Sequence, residues 1–199
     1  MSITDCAQHC VLPYFDAREG ELLVGGRGVA EIAAQLGQTP YYAYDRAIMA
    51  RKVAELRAAL PAEVELHYAI KANPMPEVVA HLASLVNGLD VASERELRVA
   101  LGTRTAPEDI SFAGPGKSAA DLAGAVSAGI VINMESELEM RRIAELARKT
   151  GKRPKVAIRV NPDFELKASG MKMGGGPKQF GVDAERVPAM LAELAGLPL

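Results

Sequence analysis

The stretch VELHYAIK, residues 64–71, alternates strictly between two kinds of side chain. Its apolar residues, at every second position, face one side of an extended chain, and Lys71 ends the series that faces the other side. The sequence NPMP at residues 73–76 interrupts the strand, and Pro76 suits the first position of a helix. This pattern predicts a strand that ends at Lys71 and leads into an amphipathic helix.

Strand and helix patterns then alternate along the rest of the chain. Successive strands begin about 20 to 27 residues apart, and helical periodicity fills the intervals between them. The predicted strands comprise residues 64–71, 89–92, 110–113, 130–133 and 155–161. Because β and α segments alternate at this spacing, we expect a parallel sheet with helices outside it.

Two parallel architectures compete for this pattern. The strands of a doubly wound sheet are covered on both faces and are therefore nearly continuous apolar runs. The predicted strands at residues 64–71 and 155–161 instead carry Glu, His, Lys and Arg on one face, with Val156, Ile158 and Val160 on the other face of the second. The interior or mouth of a barrel tolerates such charges better, so the sequence favours a (β/α) barrel of the TIM type.

Polar residues mark the expected starts of the helices. Two pairs, Ser93 with Glu96 and Ser136 with Glu139, have the spacing of capping boxes. Single caps are expected at Asp45, Ser118 and Asp183, the last for a helix that ends at Gly196. In the front part of the chain the sequence predicts a lone strand at residues 21–26, a helix at 29–36 and a strand at 41–44.

Composition excludes several classes of partner. The net charge is -2 and no basic stripe occurs, so we expect no nucleic-acid or membrane partner. No apolar run approaches the ~20 residues that span a bilayer, and the N-terminus lacks a signal-peptide pattern, so we expect a cytoplasmic protein. The three histidines and the cysteines Cys6 and Cys10 do not have metal-ligand spacing, and we expect no metal site.

Lys71 is the strongest candidate for chemistry. Barrels place catalytic groups at the C-terminal ends of their strands, where the pattern puts Lys71. A lysine there is costly unless it is paired, deprotonated or covalently used, and a neutral amine attacks an aldehyde to form a Schiff base. An exposed lysine at a strand end is the alternative, and position alone does not separate the two.

Two further residues share the expected inward orientation. Ala69 lies two residues before Lys71 on the same face, where its small side chain leaves room for a flat ring. Arg159 has the same parity on the last strand and indicates either an anionic ligand or a buried carboxylate partner. Asp90 and Glu65 are the candidate partners. The run GGG at residues 174–176 lacks the lysine and hydroxyl of a P-loop, which favours a mobile loop.

Several motifs together resemble the fold-type III pyridoxal-phosphate-dependent decarboxylases, the group that contains diaminopimelate and ornithine decarboxylases. In chain order they are YAIKAN at residues 68–73, LDVAS at 89–93, FAGPGK at 112–117, RVNP at 159–162 and KQFG at 178–181. The motifs have the family's order and spacing. The run GMKMGGGP at residues 170–177 most resembles the diaminopimelate-decarboxylase-like branch found beside exosortase systems.

The resemblance implies a function and roles for particular residues. It implies α-decarboxylation of an amino acid with pyridoxal 5'-phosphate as cofactor and Lys71 as the Schiff-base lysine. Ala69 would pack against the cofactor ring, and Asp90 and Arg159 would line the cofactor end of the barrel. The resemblance also implies a homodimer.

The resemblance further implies how the chain is organised. Residues 1–37 would form an N-terminal arm that contributes a strand to a second β domain, and residues 38–199 a partial, cofactor-binding barrel. The family's barrel has eight strands, of which the sequence accounts for about five. We therefore expect the chain to be the N-terminal part of a longer enzyme, with the remaining cofactor and substrate residues downstream.

Two alternatives stay open beside the decarboxylase. A non-catalytic regulatory homologue would compete for a decarboxylase partner, but it would have no need for the complete lysine motif around Lys71. A relative of alanine racemase, or a cofactor-carrier protein, would keep the same half-barrel and the same cofactor. The motifs around Asp90 and at residues 112–117 favour the decarboxylase.

We predict that the 199-residue chain alone binds the cofactor poorly and does not turn over. Five strands leave an open sheet edge and an uncovered inner face, both of which promote aggregation. Cofactor titration and carbon dioxide release from the purified chain would measure this. Decarboxylation of an amino acid by the isolated chain would contradict the prediction.

Overall fold

The structure is a computed structural model that describes residues 14–162 and 179–199. Contacts between residues divide the chain into two units, with the break between Pro61 and Ala62. The predicted boundary between residues 37 and 38 refers to the domains of longer family members and stays a prediction.

The described part of the first unit, from residue 14 to Pro61, contains a small antiparallel sheet and two helices. Its strands lie in the order β1-β2-β3, so the strand expected to be alone is in fact the central one. The helix predicted at residues 29–36 is confirmed, and Asp45 caps the second helix as expected by accepting the N–H groups of Ala47 and Ile48. The elements are β1 Ala17–Arg18, β2 Glu21–Val24, β3 Arg27–Gly28, α1 Val29–Leu36 and α2 Arg46–Ala59.

Residues 41–44 do not form the predicted strand. Their side chains alternate between half-buried and exposed, as in a strand, but no neighbouring segment in the described part of the chain pairs with them. A strand needs a partner for its backbone hydrogen bonds, and periodicity alone does not supply one. The first tyrosine of the segment is instead held by its side chain, because the Tyr41 hydroxyl donates to the Val29 carbonyl at 2.6 Å.

The second unit, Ala62–Leu199, repeats strand and helix as the sequence predicts. Its first four βα pairs are β4 His67–Ala69 with α3 Pro76–Ala83, β5 Gly88–Val91 with α4 Glu94–Leu101, β6 Ile110–Phe112 with α5 Ala119–Ala128, and β7 Val131–Met134 with α6 Glu137–Thr150. They are followed by β8 Lys155–Ile158, β9 Val160–Asn161, β10 Val182–Asp183 and α7 Val187–Leu194.

Strands β4 to β8 form one parallel sheet in the order in which they occur in the chain. A doubly wound sheet reverses its strand order at a switch point, whereas a barrel adds each strand beside the one before it. The sequential order therefore confirms the predicted barrel-type architecture of five βα units. It also brings the C-terminal ends of all five strands to one edge.

The core lies between the sheet and the outer helices. The side chains of β5, β6 and β7 that face the helices are almost fully buried, and so is the inner side of α6. The other face of β4 to β7 carries mostly polar or small residues, and the half-buried ones include His67, Ala69, Asp90, Ser111 and Asn133. The fully buried residues of this core include Leu89, Ile110, Phe112, Ile132, Met134, Met140 and Ile143.

The last predicted strand, residues 155–161, is broken at Arg159. The Arg159 N–H donates to the Met134 carbonyl at 2.9 Å, which keeps the chain on β7, but the next two residues pair with β10 instead. The break reverses the expected faces, because Val160 is 47% exposed and Asn161 is buried. The prediction that Val160 continues the apolar face of β8 is therefore wrong.

The serine caps are confirmed, but the two predicted capping boxes are incomplete. Ser93 and Ser136 accept the N–H groups of Glu96 and Glu139 as expected. Each glutamate, however, accepts the N–H of the residue before its serine rather than that of the serine itself. Asp183 does not cap a helix, since its carboxylate accepts the Asn161 amide at 2.9 Å.

A complete capping box occurs at Ser118 instead. The Ser118 hydroxyl accepts the Asp121 N–H, and the Asp121 carboxylate accepts the Ser118 N–H at 2.8 Å. The other Asp121 oxygen accepts the Glu94 N–H at 2.8 Å, which ties the start of α5 to the start of α4. Burial raises the pKa of Asp121, but these hydrogen bonds and the Lys117 charge outweigh it and hold the pKa below its ordinary value.

We predict that Asp121→Asn destabilises the protein by about 1 kcal/mol at neutral pH, as loss of a capping interaction does. Because the folded-state pKa is lowered, the stabilisation is present above the unfolded-state pKa, about 3.9, and is lost as the pH falls through the folded value. Urea unfolding of the variant and the unaltered protein at pH 7 and pH 3 would measure the difference, with the exposed Asp109→Asn as control. An equal difference at both pH values would contradict the prediction.

Candidate active site

Lys71 lies just beyond the end of β4. The strand ends at Ala69, earlier than predicted, and residues Ile70–Ala72 form a single 3-10 turn. Ile70 is fully buried on the side that faces the helices. Lys71 is exposed as a residue, yet it lines a cavity on the other face of the sheet. The structure therefore places Lys71 on the predicted face of the sheet, within the turn that directly follows β4.

The cavity lies at the C-terminal ends of the parallel strands and has a volume of about 510 Å³. This is within the range of ~300–1,000 Å³ typical of small-molecule sites. The structure brings all four predicted site residues, Lys71, Ala69, Asp90 and Arg159, to its lining. The remaining lining residues are Val91, Ala92, Ser111, Ala113, Gly114, Asn133 and Phe180.

Asp90 is held in place by its neighbours on the inner face of the sheet. Ala69, Asp90 and Ser111 are adjacent in the strand register, and the Ser111 hydroxyl donates to Asp90 Oδ1 at 2.5 Å. His67 Nδ1 lies 3.6 Å from the same oxygen. The imidazole fits because Gly88 lacks a side chain: a Cβ there would lie 2.4 Å from the ring. Asp90 thus presents a carboxylate of fixed orientation to the cavity.

Within the described residues, the carboxylate that pairs with Arg159 is that of Glu135, which is neither of the two predicted candidates. Glu135 Oε1 lies 3.0 Å from Arg159 Nη1, whereas Asp90 is bonded to Ser111. The guanidinium also lies over the Phe180 ring, 5.0 Å from its centroid, an arrangement typical of a cation–π contact. An ion pair with a buried carboxylate therefore accounts for the inward arginine, since the Glu135 side chain is 2% exposed and that of Arg159 31%.

Glu135 was missed by the sequence analysis. It is the first residue after β7, the same position relative to its strand end that makes barrel residues candidates for chemistry. This position could have identified Glu135 as a candidate. The adjacent pattern of Ser136 and Glu139 indicated only the start of a helix. Its carboxylate accepts the N–H groups of Gly114 and Gly181 as well as the Arg159 guanidinium.

Another ion pair, between Lys117 and Glu139, lies next to this one, and both of its side chains are buried. The Lys117 ammonium is 3.0 Å from Glu139 Oε1, and both side chains are almost fully buried. Lys117 also donates to the carbonyls of Gly114 and Asn133, both at 2.7 Å. All three protons of the ammonium therefore have acceptors, as a buried lysine requires. Lys117 belongs to the FAGPGK motif at residues 112–117, but its contacts could not be predicted from the sequence.

Residues 46–197 match the family described as pyridoxal-dependent decarboxylase, pyridoxal binding domain. The chain belongs to this family. The match confirms the recognition made from the motifs, and with it pyridoxal 5'-phosphate as the expected cofactor.

Individual members of the pyridoxal-dependent decarboxylase family show how far the likeness extends. The chain is 38% identical over 177 residues to diaminopimelate decarboxylase of Aquifex aeolicus, which covers 86% of the chain and 41% of that protein. It is 37% identical over 165 residues to an L-glutamyl acyl-carrier protein decarboxylase of Niallia circulans. This match covers 80% of the chain and 38% of that protein. The chain thus spans about two fifths of the length of the curated relatives it matches.

A solved structure of the same group has the same fold. Diaminopimelate decarboxylase of Helicobacter pylori, crystallised with L-lysine, superposes with a TM-score of 0.75 at 29% identity. The superposition covers 84% of this chain and 43% of that one.

The residues of the cavity fit the cofactor that the family takes. The cofactor has an aldehyde, which requires an amine, and Lys71 supplies one to the described lining of the cavity. It has a flat ring, and Ala69 beside Lys71 is a small residue that leaves room for one. Asp90 supplies a carboxylate of fixed orientation. The donor set therefore suits an aldehyde-bearing aromatic ligand.

Some of the predicted features lie outside the described residues. The glycine run at residues 174–176 and the cysteines Cys6 and Cys10 fall on residues that the structure does not describe. Within residues 14–162 and 179–199, no three His, Cys, Asp or Glu side chains come together in a way that would hold a metal ion. In the same residues, no helix has both the length and the apolar character to cross a membrane.

We predict that Lys117→Met lowers the free energy of unfolding by about 3–5 kcal/mol, because it leaves the buried Glu139 carboxylate without its cation. Chemical denaturation would measure the loss. Lys149→Met, a substitution at an exposed position of α6, is the matched control and should change stability by less than about 0.5 kcal/mol. Equal stability of the two variants would show that the buried pair contributes little.

Proposed function

We propose that the protein to which these residues belong decarboxylates an amino acid with pyridoxal 5'-phosphate as cofactor. The observation that carries the proposal is the convergence of Lys71, Ala69, Asp90 and Arg159 on one cavity at the C-terminal edge of the barrel strands. Family membership supports the same reaction. When bound, the cofactor supplies an electron sink for the electron pair that remains when the bond to the carboxylate breaks.

Lys71 would hold the cofactor covalently through its amine. Its place in a 3-10 turn, with Ile70 buried against the helices, fixes the backbone while the side chain lies on the cavity side. A covalent lysine must reach the aldehyde and also release it to an incoming amino group, so a long flexible side chain on a rigid backbone suits this role.

The remaining site residues would bind and orient. Ala69 would leave space for one face of the ring, and Asp90 would present a carboxylate whose position Ser111 and His67 determine. Arg159 would form part of the cavity wall and present polar N–H groups. Its positive charge would be balanced in part by the Glu135 carboxylate. These assignments rest on the geometry of the cavity and on the motifs that carry the resemblance.

The substrate is proposed only as a class. The two relatives described above act, by their names, on diaminopimelate and on a glutamyl group carried by a protein, so a similar barrel serves different substrates. A diaminopimelate-like amino acid is the first substrate to test. We further propose that the protein is a homodimer and that it belongs to the diaminopimelate-decarboxylase-like branch found beside exosortase systems.

We predict that Lys71→Arg abolishes covalent attachment of the cofactor, because the guanidinium keeps the charge but is not a nucleophile. The protein at its natural length would be incubated with pyridoxal 5'-phosphate, reduced with borohydride and analysed by peptide mass spectrometry. The unaltered protein should carry the label on the peptide that contains Lys71. Decarboxylation should fall on the order of 10³-fold or more, as it does when a covalent catalytic residue is removed.

Lys149→Arg, an exposed position on α6, is the matched control and should keep both the label and the activity. Attachment at another lysine would refute the role of Lys71. Racemisation without loss of carbon dioxide would place the protein with the racemases, and a protein that takes no label in any form would be a regulatory homologue.

A further inference from the structure

Glu135 connects three separate segments of the cavity wall. Its Oε1 accepts the Gly114 N–H at 2.7 Å and the Arg159 guanidinium at 3.0 Å, and its Oε2 accepts the Gly181 N–H at 2.9 Å. These donors come from the loop after β6, from the end of β8 and from the segment before β10. One carboxylate therefore joins parts of the chain that lie 21 to 46 residues away from it.

The carboxylate is buried, so its donors are essential. The Glu135 side chain is only 2% exposed. Moving a carboxylate out of water costs several kcal/mol unless hydrogen bonds and an opposite charge replace the lost solvation. Here a guanidinium supplies the charge, and two backbone N–H groups complete the set. Each wall segment is thereby tied to the other two through a group that cannot be left unpaired.

The backbone at both glycines is adapted to this contact. Gly114 has φ +112° and Gly181 has φ +79°, both in the region that L side chains rarely adopt. A Cβ on Gly181 would lie 2.9 Å from the Arg159 carbonyl, so this close approach also requires glycine. Gly114 and Phe180, the residue before Gly181, both line the cavity.

We propose that Glu135 is a positioning residue that sets the wall of the cavity formed by Gly114, Arg159 and Phe180. It acts on the ligand through these three residues. What the cavity binds rests on the proposed function, but the role of Glu135 in holding the wall does not. Glu135 does more than neutralise Arg159, since two of the three donors to the Glu135 carboxylate are uncharged backbone amides.

Glu135→Gln tests the proposal with little change in volume. A glutamine side chain has one acceptor oxygen and a donor NH2 group, so at least one of the three donors loses its acceptor. In the protein at its natural length and without cofactor, hydrogen exchange by mass spectrometry would be followed in peptides that contain Gly114 or Gly181. We expect exchange at one or both amides to accelerate by at least about tenfold, the value of one charge-assisted hydrogen bond.

Cofactor binding is the second measurement. Titration with pyridoxal 5'-phosphate, followed by its absorbance, should show binding weakened by at least about tenfold in Glu135→Gln. Glu137→Gln is the matched control, because Glu137 lies two residues further on in the first turn of α6 and pairs with Arg186 at 2.8 Å, away from the cavity lining. The control should leave exchange at both glycines and cofactor affinity within about twofold of the unaltered protein.

The double variant Glu135→Gln, Arg159→Met separates positioning from charge balance. If Glu135 served only to neutralise Arg159, removal of both charges would restore slow exchange at the two glycines. We expect exchange to stay fast, because the amides still lack a carboxylate. Restored protection in the double variant would overturn the proposal, as would unchanged exchange in Glu135→Gln.

If the variants do not fold, a measurement on the unaltered protein tests the role of Glu135. The amides of Gly114 and Gly181 should exchange at least about tenfold more slowly than that of Gly116, an exposed glycine in the loop before α5. Equal exchange at the three glycines would overturn the proposal. If the unaltered protein binds no pyridoxal 5'-phosphate, the proposed function fails, and the exchange measurements still decide the role of Glu135.

Discussion

Parallel pairing of consecutive strands is the constraint on which the remaining features depend. Because β4 to β8 pair in chain order and in one direction, every strand ends at the same edge of the sheet. Residues just past these ends, such as Lys71, Glu135 and Arg159, are far apart in sequence but belong to one edge. The outer face of the sheet is covered by helices and holds the apolar core, so polar side chains accumulate on the inner face and at this edge.

Two ion pairs, each with a buried carboxylate, link residues at this edge. Glu135 with Arg159 and Lys117 with Glu139 are linked, since Glu139 accepts the Glu135 N–H and Lys117 donates to the carbonyl of Gly114, whose N–H Glu135 accepts. In surroundings of low dielectric such a network is costly to disrupt, because loss of one member leaves another charge unsatisfied. Lys71 lies on the single 3-10 turn that follows β4.

The same network changes the meaning of the inward arginine. A guanidinium in a cavity would attract anions, but here Glu135 Oε1 lies 3.0 Å from Arg159 Nη1 and the guanidinium lies over the Phe180 ring. The cavity therefore offers Asp90 as a carboxylate and Lys71 as an amine, with Arg159 as part of the wall.

The sequence by itself determined the five βα units, the parallel sheet, the serine caps and the side of the sheet on which Lys71 lies, because periodicity and caps are local properties of the chain. It could not determine that β8 breaks at Arg159, that residues 41–44 lack a strand partner, or that Glu135 rather than Asp90 or Glu65 pairs with Arg159. Each of these depends on which distant group satisfies a buried backbone or charged atom. Such pairings are fixed only when the strands are assembled, since the cost of an unsatisfied buried group arises only in the folded interior.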